Sequence, residues 1–369
     1  MIIKEIEISD YRNLSHVILK PIPQINVIYG QNAQGKTNLL EAMWIFTGGH
    51  SFRGAKDSEL IAFGKTTFEM NMKFFSEERE QDAKINMTNG RRSVIINDIP
   101  KKSASSLVGK FCAVVFSPQH LSLVKEGPSN RRNFIDGSLC QSKPAYAKLL
   151  MHYNRTLSQR NMLLKEITKH PELKDTLEIW DEKLVKFGVS IIKERFSYLE
   201  RLQPIVEEIY HGISSQKEHF SLKYDSSFLK EGQTEIETCF FEKLKSSRKS
   251  DFMVGYTTVG PHRDDISFYI NEISARSFGS QGQQRSVALA LKLAESKVME
   301  SITGDKPVMF LDDVMSELDE NRQDYILNHL KDQQVFITCC DPNTIHQLKQ
   351  GALFKIHQGE LIEQMILKS

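Results

Sequence analysis

The residues Gly30-Gln31-Asn32-Ala33-Gln34-Gly35-Lys36-Thr37 follow the spacing GxxxxGK[ST], a pattern suited to wrapping a phosphate. Glycines let successive backbone N–H groups curl round the anion, and the start of a following helix adds its positive end. Lysine supplies a mobile ammonium, and the threonine hydroxyl can ligate Mg²⁺. A cation held there needs a second anchor. Pro307-Val308-Met309-Phe310-Leu311-Asp312-Asp313 is an apolar run ending in two acids. Asp312 is the expected metal carboxylate beside Thr37, and Asp313, one residue beyond the strand end, is placed to polarise a water for in-line attack on a terminal phosphate. A third cluster, Phe278-Gly279-Ser280-Gln281-Gly282-Gln283-Gln284-Arg285, precedes Val287, Ala288, Leu289, Leu291 and Leu293, which read as a buried helix. A Ser/Gly/Gln cluster at a helix start is a phosphate site in its own right. It cannot serve the phosphate already wrapped by the first loop unless the chain folds back or a second copy brings it in.

These groups need elements to hold them. Ile25-Asn26-Val27-Ile28-Tyr29 reads as a strand closed by Gly30, and Leu39, Leu40, Met43, Trp44 and Phe46 recur at helical spacing from Lys36 to about Thr47. Alternation between about Phe68 and Asn97, with Asn89-Gly90 as a turn, predicts antiparallel strands. Another strand, Cys112-Ala113-Val114-Val115-Phe116, ends at Ser117-Pro118. Strand signals then vanish from about Pro144 to His211. There, Tyr146, Leu150, Tyr153 and Leu157 form one helical stripe, and Leu173, Leu177, Trp180, Leu184, Phe187 and Ile191 form a second. The two predict a short antiparallel helical hairpin, and the polar stretch 243–250 marks the return to α/β structure.

The whole chain has 369 residues, 40% of them hydrophobic and 26% charged, which fits about two globular domains and excludes disordered or collagen-like classes. Five cysteines with no CxxC spacing argue against a disulfide framework and a zinc site. The N-terminus alternates apolar and charged residues without a signal core, and no stretch approaches the roughly 20 apolar residues of a membrane span. A cytoplasmic protein without a membrane partner is the expectation. A formal net charge of +1 offers no overall attraction for a polyanion.

The ordered set of phosphate loop, Ser280-Gln281-Gly282-Gln283-Gln284, Leu311-Asp312-Asp313-Val314-Met315-Ser316-Glu317-Leu318-Asp319 and a final strand resembles the ATP-binding-cassette heads of SMC-like proteins, and within them the RecF family of bacterial recombinational repair. The resemblance spans essentially the whole chain. It includes Asp10-Tyr11-Arg12-Asn13-Leu14, Phe116-Ser117-Pro118-Gln119-His120-Leu121, Pro128-Ser129-Asn130-Arg131-Arg132-Asn133-Phe134 and Val259-Gly260-Pro261-His262-Arg263-Asp264-Asp265. It implies an α/β fold: an ABC-type P-loop ATPase head, a mixed sheet with a central helix, carrying an inserted helical arm. Residues 1–116 and 300–369 would form the nucleotide-binding lobe, and 117–299 a helical lobe bearing the signature motif.

For the site, the resemblance implies that Ser280 and Gly282 meet the γ-phosphate of ATP held by an opposite subunit, with Gln283 also among the nucleotide-binding residues. It places Gln119 where such heads sense Mg²⁺ and the attacking water, Arg12 and Asn32 near the phosphates, and residues 316–319 across the dimer interface. Two departures stand out. Asp313 replaces a more usual Glu, one methylene longer, which predicts slow hydrolysis. Cys339-Cys340-Asp341 stands where those heads place the histidine of the γ-phosphate switch.

Charge is unevenly distributed. Between His120 and Lys165, eight basic side chains stand against Glu126 and Asp136, and between Asp305 and Asp324 seven acids stand against Lys306 and Arg322. The acids gather where metal-bound ATP must sit; Arg131, Arg132, Lys143, Lys148, Arg155 and Arg160 are the expected DNA contacts. The favoured expectation is a DNA-repair ATPase acting in replication restart and the SOS response. ATP would close two copies on duplex DNA near a single-strand gap or junction, slow DNA-dependent hydrolysis would reopen them, and the family resemblance adds RecR and RecO as partners and recombinase loading as the outcome. A metabolic kinase, which would leave the Ser280 cluster unexplained, and the ATPase subunit of another SMC-like or ABC assembly remain as alternatives.

Overall fold

The computed structural model describes the chain except residues 89, 168, 215, 230–234, 346–349, 368 and 369, and gives no side-chain placement for Glu317 and Thr344. It divides into two compact units, one of Met1–Leu121, Gly212–Gln216 and Ser286–Ser369 and one of Ser122–His211 and Lys217–Arg285. Residues 117–121, 212–216 and 286–299, expected in the helical lobe, group with the first unit.

The first unit is built on two sheets. One is antiparallel and contains β1 (Ile2–Tyr11), β2 (Leu14–Leu19), β4 (Thr67–Ser76), β5 (Arg79–Thr88), β6 (Arg91–Ile96) and β7 (Ile99–Lys101), in the order β2-β1-β4-β5-β6-β7. Its strands alternate as expected for a sheet with one solvated face: Phe68, Met70, Met72 and Phe74 are buried, whereas Glu69 and Lys73 are exposed. Thr88 pairs with Arg91, and Gly90 just before Arg91 has φ 71°; Asn89, the other expected turn residue, lies outside the described residues. The second sheet joins β3 (Ile25–Tyr29), β8 (Ala113–Phe116), β12 (Val308–Asp312), β13 (Val335–Cys339), β14 (Gly351–His357) and β15 (Glu360–Leu367) in the order β15-β14-β3-β13-β12-β8, all parallel except β15. Strands β8, β12 and β13 are buried at every position, which explains their continuous apolar runs. Helix α1 (Lys36–Ile45) packs against β1 on one side and β12 and β13 on the other. It is buried on most of its circumference, down to Glu41.

The second unit contains α2 (Ser122–Lys125), α3 (Pro128–Ser142), α4 (Pro144–Ile167), α5 (Leu177–Ile213), α6 (Ile236–Val254), α7 (Ala275–Phe278), a small sheet of β9 (Phe220–Asp225), β10 (Asp265–Ile270) and β11 (Ile273–Ser274), and the first residues of α8 (Gln281–Thr303). Helix α9 (Glu320–His329) belongs to the first unit. Helices α4 and α5 run antiparallel: the His152 and Phe187 rings stack at 5.7 Å, and Arg160 further along α4 meets Asp181 earlier on α5 at 2.6 Å. Helix α5 is longer than expected, continuing through Pro204 to Ile213, whereas Leu173 lies in the short 3-10 turn before it. The polar stretch 243–250 is a further correction. It lies within α6, with Lys243, Lys245, Ser246, Lys249 and Ser250 exposed while Phe240, Leu244, Ser247 and Asp251 turn inward at helical spacing. Among the described residues, no helix is long and apolar enough to cross a membrane.

Buried charge organises this unit. Arg160 is completely buried; its Nε donates to Asp181, and its Nη1 donates to Asp251 at 2.8 Å and to the Thr257 hydroxyl at 2.7 Å. Arg248 also binds Asp181, and Asp251 accepts from Thr258. A side chain held this way cannot reach a polyanion, so the expectation of Arg160 as a DNA contact is corrected. Arg131 is likewise buried against Asp265, Arg132 donates to the Asp264 carbonyl, and Lys143 pairs with Glu194. Of the six expected contacts, Lys148 and Arg155 are exposed and have no such partner among the described residues. Arg160→Ala should therefore destabilise the protein by about 3–5 kcal/mol, because it takes the arginine from the buried Asp251 and leaves the buried Asp181 with Arg248 alone. Urea unfolding checks this, and a variant that keeps its midpoint while losing only DNA affinity would restore Arg160 as a contact.

Candidate nucleotide site

The phosphate loop leaves the carboxyl end of β3 and enters α1 at Lys36. Its two glycines are required by geometry. Gly30 has φ 151°, and a Cβ there would lie 2.3 Å from the Ile356 carbonyl oxygen; Gly35 has φ 110°, and a Cβ would lie 2.8 Å from Asn13 Oδ1. Ala33 also takes a positive φ, 63°. The loop is braced on both flanks. Asn13 in the β1–β2 turn donates to the Ala33 carbonyl and accepts from Asn38, and the β14–β15 turn binds Gln34 through the N–H groups of Gln358 and Gly359. Gln31, Asn32 and Ala33 are exposed at the loop's crest.

Lys36 reaches back across the loop, donating to the carbonyls of Gly30 at 2.7 Å and Gln31 at 2.9 Å. Thr37 donates to Asp312 Oδ1 at 2.8 Å, and the same oxygen accepts from Thr338 at 2.8 Å. The Asp313 N–H in turn donates to the Thr338 hydroxyl at 2.8 Å. One chain of hydrogen bonds thus links α1, β12 and β13. Parallel pairing makes this possible: Asp312 is opposite Thr338, and Thr338 is opposite Ile28 of β3. Asp312 is buried, and burial with the adjacent Asp313 raises its pKa above the ordinary carboxylate value, while Thr338 and Thr37 oppose the rise. Asp313 sits in the left-handed region at φ 54°, which turns the chain out of the strand and leaves its carboxylate partly exposed.

Other expected residues are placed less directly. Arg12, expected beside the phosphates, forms a bidentate pair with the buried Glu41, which also accepts from Ser51; this pins the β1–β2 turn to α1. Gln119 is exposed in a 3-10 turn following β8, at the same carboxyl edge as Asp312 because β8 and β12 are parallel. The turn is held by His120, whose Nδ1 accepts from the Ser117 N–H; burial, with Lys292 adding to it, pushes this imidazole down to about 3, so it stays neutral. Cys340 is exposed and donates from Sγ to Asn32 Oδ1 at 3.1 Å, 4.0 Å from Lys36 Nζ, so a thiol touches the loop at the position expected for a histidine. Burial pushes the Cys339 thiol up to about 12.

In the second unit, Ser280 and Gln283 form a reciprocal capping box: the Gln283 N–H donates to Ser280 Oγ, and the Ser280 N–H donates to Gln283 Oε1. Gln283 also donates to Glu218 at 2.7 Å. Ser280 is exposed beside Phe278, 77% of whose surface is open. A Cβ on Gly282 would meet nothing nearer than Ser280 Oγ at 4.0 Å. Packing within the chain therefore does not require glycine there; its effect is to keep the helix start open to approach. In the 316–319 segment, Ser316 donates to the Asp313 carbonyl and Asp319 caps α9.

Three residues of the site were not singled out from sequence. Thr338 carries no motif, and only strand pairing puts it on Asp312. Glu41 reads as an ordinary helix residue. Arg53 donates to Asn38, and its charge lowers the Asp312 pKa, which puts a cation on the acidic side of the loop. It lies in a Gly/Ser-containing stretch with no pattern to mark it.

The RecF/RecN/SMC N terminal domain family matches residues 2–361. The DNA replication and repair protein RecF of Agathobacter rectalis is 43% identical over 367 residues, covering 98% of this chain and 99% of the relative. The protein of the same name from Ruminiclostridium cellulolyticum is 40% identical over 369 residues, covering 98% and 99%. A solved structure described as the recombination mediator protein RecF with ATP in the RecFOR pathway superposes with a TM-score of 0.91 at 39% identity, covering 100% of this chain and 98% of that one. The Smc head domain from Pyrococcus furiosus shares the fold alone, with a TM-score of 0.57 at 15% identity, covering 100% and 96%. The chain belongs to the RecF family of SMC-like ATP-binding-cassette heads.

Proposed function

We propose that this protein is an ATP-dependent DNA-binding protein of recombinational repair and replication restart, with ATP hydrolysis as its switch. The observation that carries the reading is the hydrogen-bonded chain Thr37–Asp312–Thr338–Asp313 at the mouth of the phosphate loop. It is what a nucleotide hydrolase requires and what a passive glycine turn would lack. The family relationship supports ATP as the ligand and repair as the setting.

The loop's backbone and Lys36 would hold the β- and γ-phosphates, with Lys36 exchanging its bonds to Gly30 and Gln31 for phosphate oxygens. Thr37 and Asp312 fit Mg²⁺. They form a hard hydroxyl–carboxylate pair, and the raised Asp312 pKa marks a buried negative charge that a dication would satisfy. When bound, Mg²⁺ would neutralise charge on the phosphate oxygens. Asp313 would accept the proton of the attacking water, with Gln119 orienting it. The short Asp313 side chain and its backbone-held position give a reason for slow turnover.

Ser280, Gly282 and Gln283 would complete the site from a second copy. The exposure of Ser280, the open Gly282 and the neighbouring Phe278 favour a contact made in trans, and so a head-to-tail dimer closed by ATP. That dimer would hold duplex DNA near a single-strand gap, with RecR and RecO as partners in recombinase loading. Hydrolysis stimulated by DNA would release it in a cytoplasmic cycle. A metabolic kinase has no use for the exposed Ser280 cluster.

Two experiments test this. In sedimentation with Mg·ATP, wild type should dimerise, Lys36→Met should neither bind ATP nor dimerise, and Ser280→Arg should bind ATP yet stay monomeric; a Ser280→Arg dimer would refute the shared site. Asp313→Asn should keep ATP-dependent dimerisation while phosphate release falls by about 10²-fold or more, the usual scale of general-base loss. Near-wild-type turnover in that variant would remove Asp313 from the reaction.

A further inference from the structure

The segment Val259-Gly260-Pro261-His262-Arg263-Asp264-Asp265 is not used by the nucleotide chemistry, and most of it is committed to holding the second unit together. A Cβ on Gly260, at φ 130°, would lie 2.7 Å from Tyr153 Oη and 2.8 Å from Phe240. The Pro261 carbonyl accepts from Arg195 at 2.7 Å, and His262 Nδ1 is 2.7 Å from the Tyr153 hydroxyl. Asp264, fully buried, accepts from Tyr224 at 2.6 Å and from the Ser227 N–H at 2.7 Å, and Asp265 binds Arg131. Arg263 is different. It is exposed, its bonds to the Thr257 carbonyl are long at 3.4 Å, and among the described residues it has no carboxylate partner. Its guanidinium lies over the Tyr256 ring, 4.9 Å from the centroid. The motif thus fixes the backbone of one arginine rigidly and presents its charge outward on an aromatic face.

The surroundings repeat the theme at the end of α6. Met253 is 88% exposed and Tyr256 43%. Lys165 of α4 runs past Gly255, where a Cβ would lie 3.5 Å from its Cγ, and Lys174 stands 5.8 Å over the Phe252 ring. Asn161 of α4 clamps Thr257 through its N–H and its hydroxyl, which fixes this loop on the helix. Cations interleaved with exposed aromatic and thioether groups suit a ligand with both phosphates and unpaired flat bases. A duplex hides its base faces, whereas a single strand offers them.

We propose that Arg263 and Tyr256, flanked by Met253 and Lys165, form a contact site for an unpaired DNA strand. Arg263 takes a backbone phosphate, and the Arg263–Tyr256 stack and Met253 take the bases. This rests on the DNA-binding reading above and specifies where the gap rather than the duplex is sensed. The test is fluorescence anisotropy with Mg·ATP on a gapped duplex and on a fully paired duplex of equal length, for wild type, Arg263→Ala, Tyr256→Ala and Tyr256→Phe. Both alanine variants should weaken gapped-DNA binding by about fivefold or more, the scale of losing one base stack. They should leave paired-duplex binding within about twofold, and Tyr256→Phe, which keeps the ring, should bind as wild type. Equal losses on both DNAs, or no loss on either, would overturn the site while leaving the DNA reading intact. Wild type that bound neither DNA would instead bring down the DNA reading itself.

Discussion

The nucleotide site depends on one oxygen. Asp312 Oδ1 receives the hydroxyls of Thr37 and Thr338, joining the first turn of α1 to the ends of β12 and β13. The loop lies over a parallel sheet whose central strands offer no side chain to solvent, so it has few other ways to be tied to the chemistry. Two neutral hydroxyl donors compensate this buried carboxylate only in part, and its pKa stays raised. Such a site holds its shape while remaining unsatisfied in charge, which favours a cation at that place.

The second unit solves a related problem differently. Its core contains arginines, aspartates and tyrosines in connected sets: Arg160 with Asp181 and Asp251, and Arg195 with Asp136, which also accepts from Tyr146. Buried pairs of this kind contribute little net stability, but removing one member is costly. They therefore act as registers, fixing how α3, α4, α5, α6 and the 257–265 loop sit on one another. Basic side chains spent this way are withdrawn from the surface, and a count along the sequence overstates the charge available to a partner.

Legibility in the sequence followed the range of the interaction. The phosphate loop, β3, α1 and the acid-tipped β12 were readable because each is a local pattern whose physics closes within about fifteen residues. The partnership of Asp312 with Thr338 was not, since it depends on which strands become neighbours, and nothing near Thr338 announces that β13 lies between β3 and β12. Arg160 misled for the same reason: its partners are 21 and 91 residues away, so in sequence it looks like an unpaired cation on a helix. The 243–250 stretch failed differently. Its polarity belongs to one face of α6, and the inward residues Ser247 and Asp251 are themselves polar, so the helical period was hidden.

The near-zero net charge now has a structural reading. With Arg131 and Arg160 buried in ion pairs and Lys143 matched to Glu194, the cations left exposed on α4 and beside the end of α6 include Lys148, Arg155, Lys165 and Arg263. A handful of phosphate contacts releases few counterions, so one copy engaging DNA through these side chains should hold it weakly and with a shallow salt dependence. On the proposed reading, the ATP-closed pair presents two such sets to one DNA molecule. The second engagement is then intramolecular, and affinity rises through effective concentration without any new contact. Weak surfaces joined by a nucleotide give a switch that a strongly basic surface could not: opening the pair returns each copy to weak binding, so hydrolysis is sufficient for release.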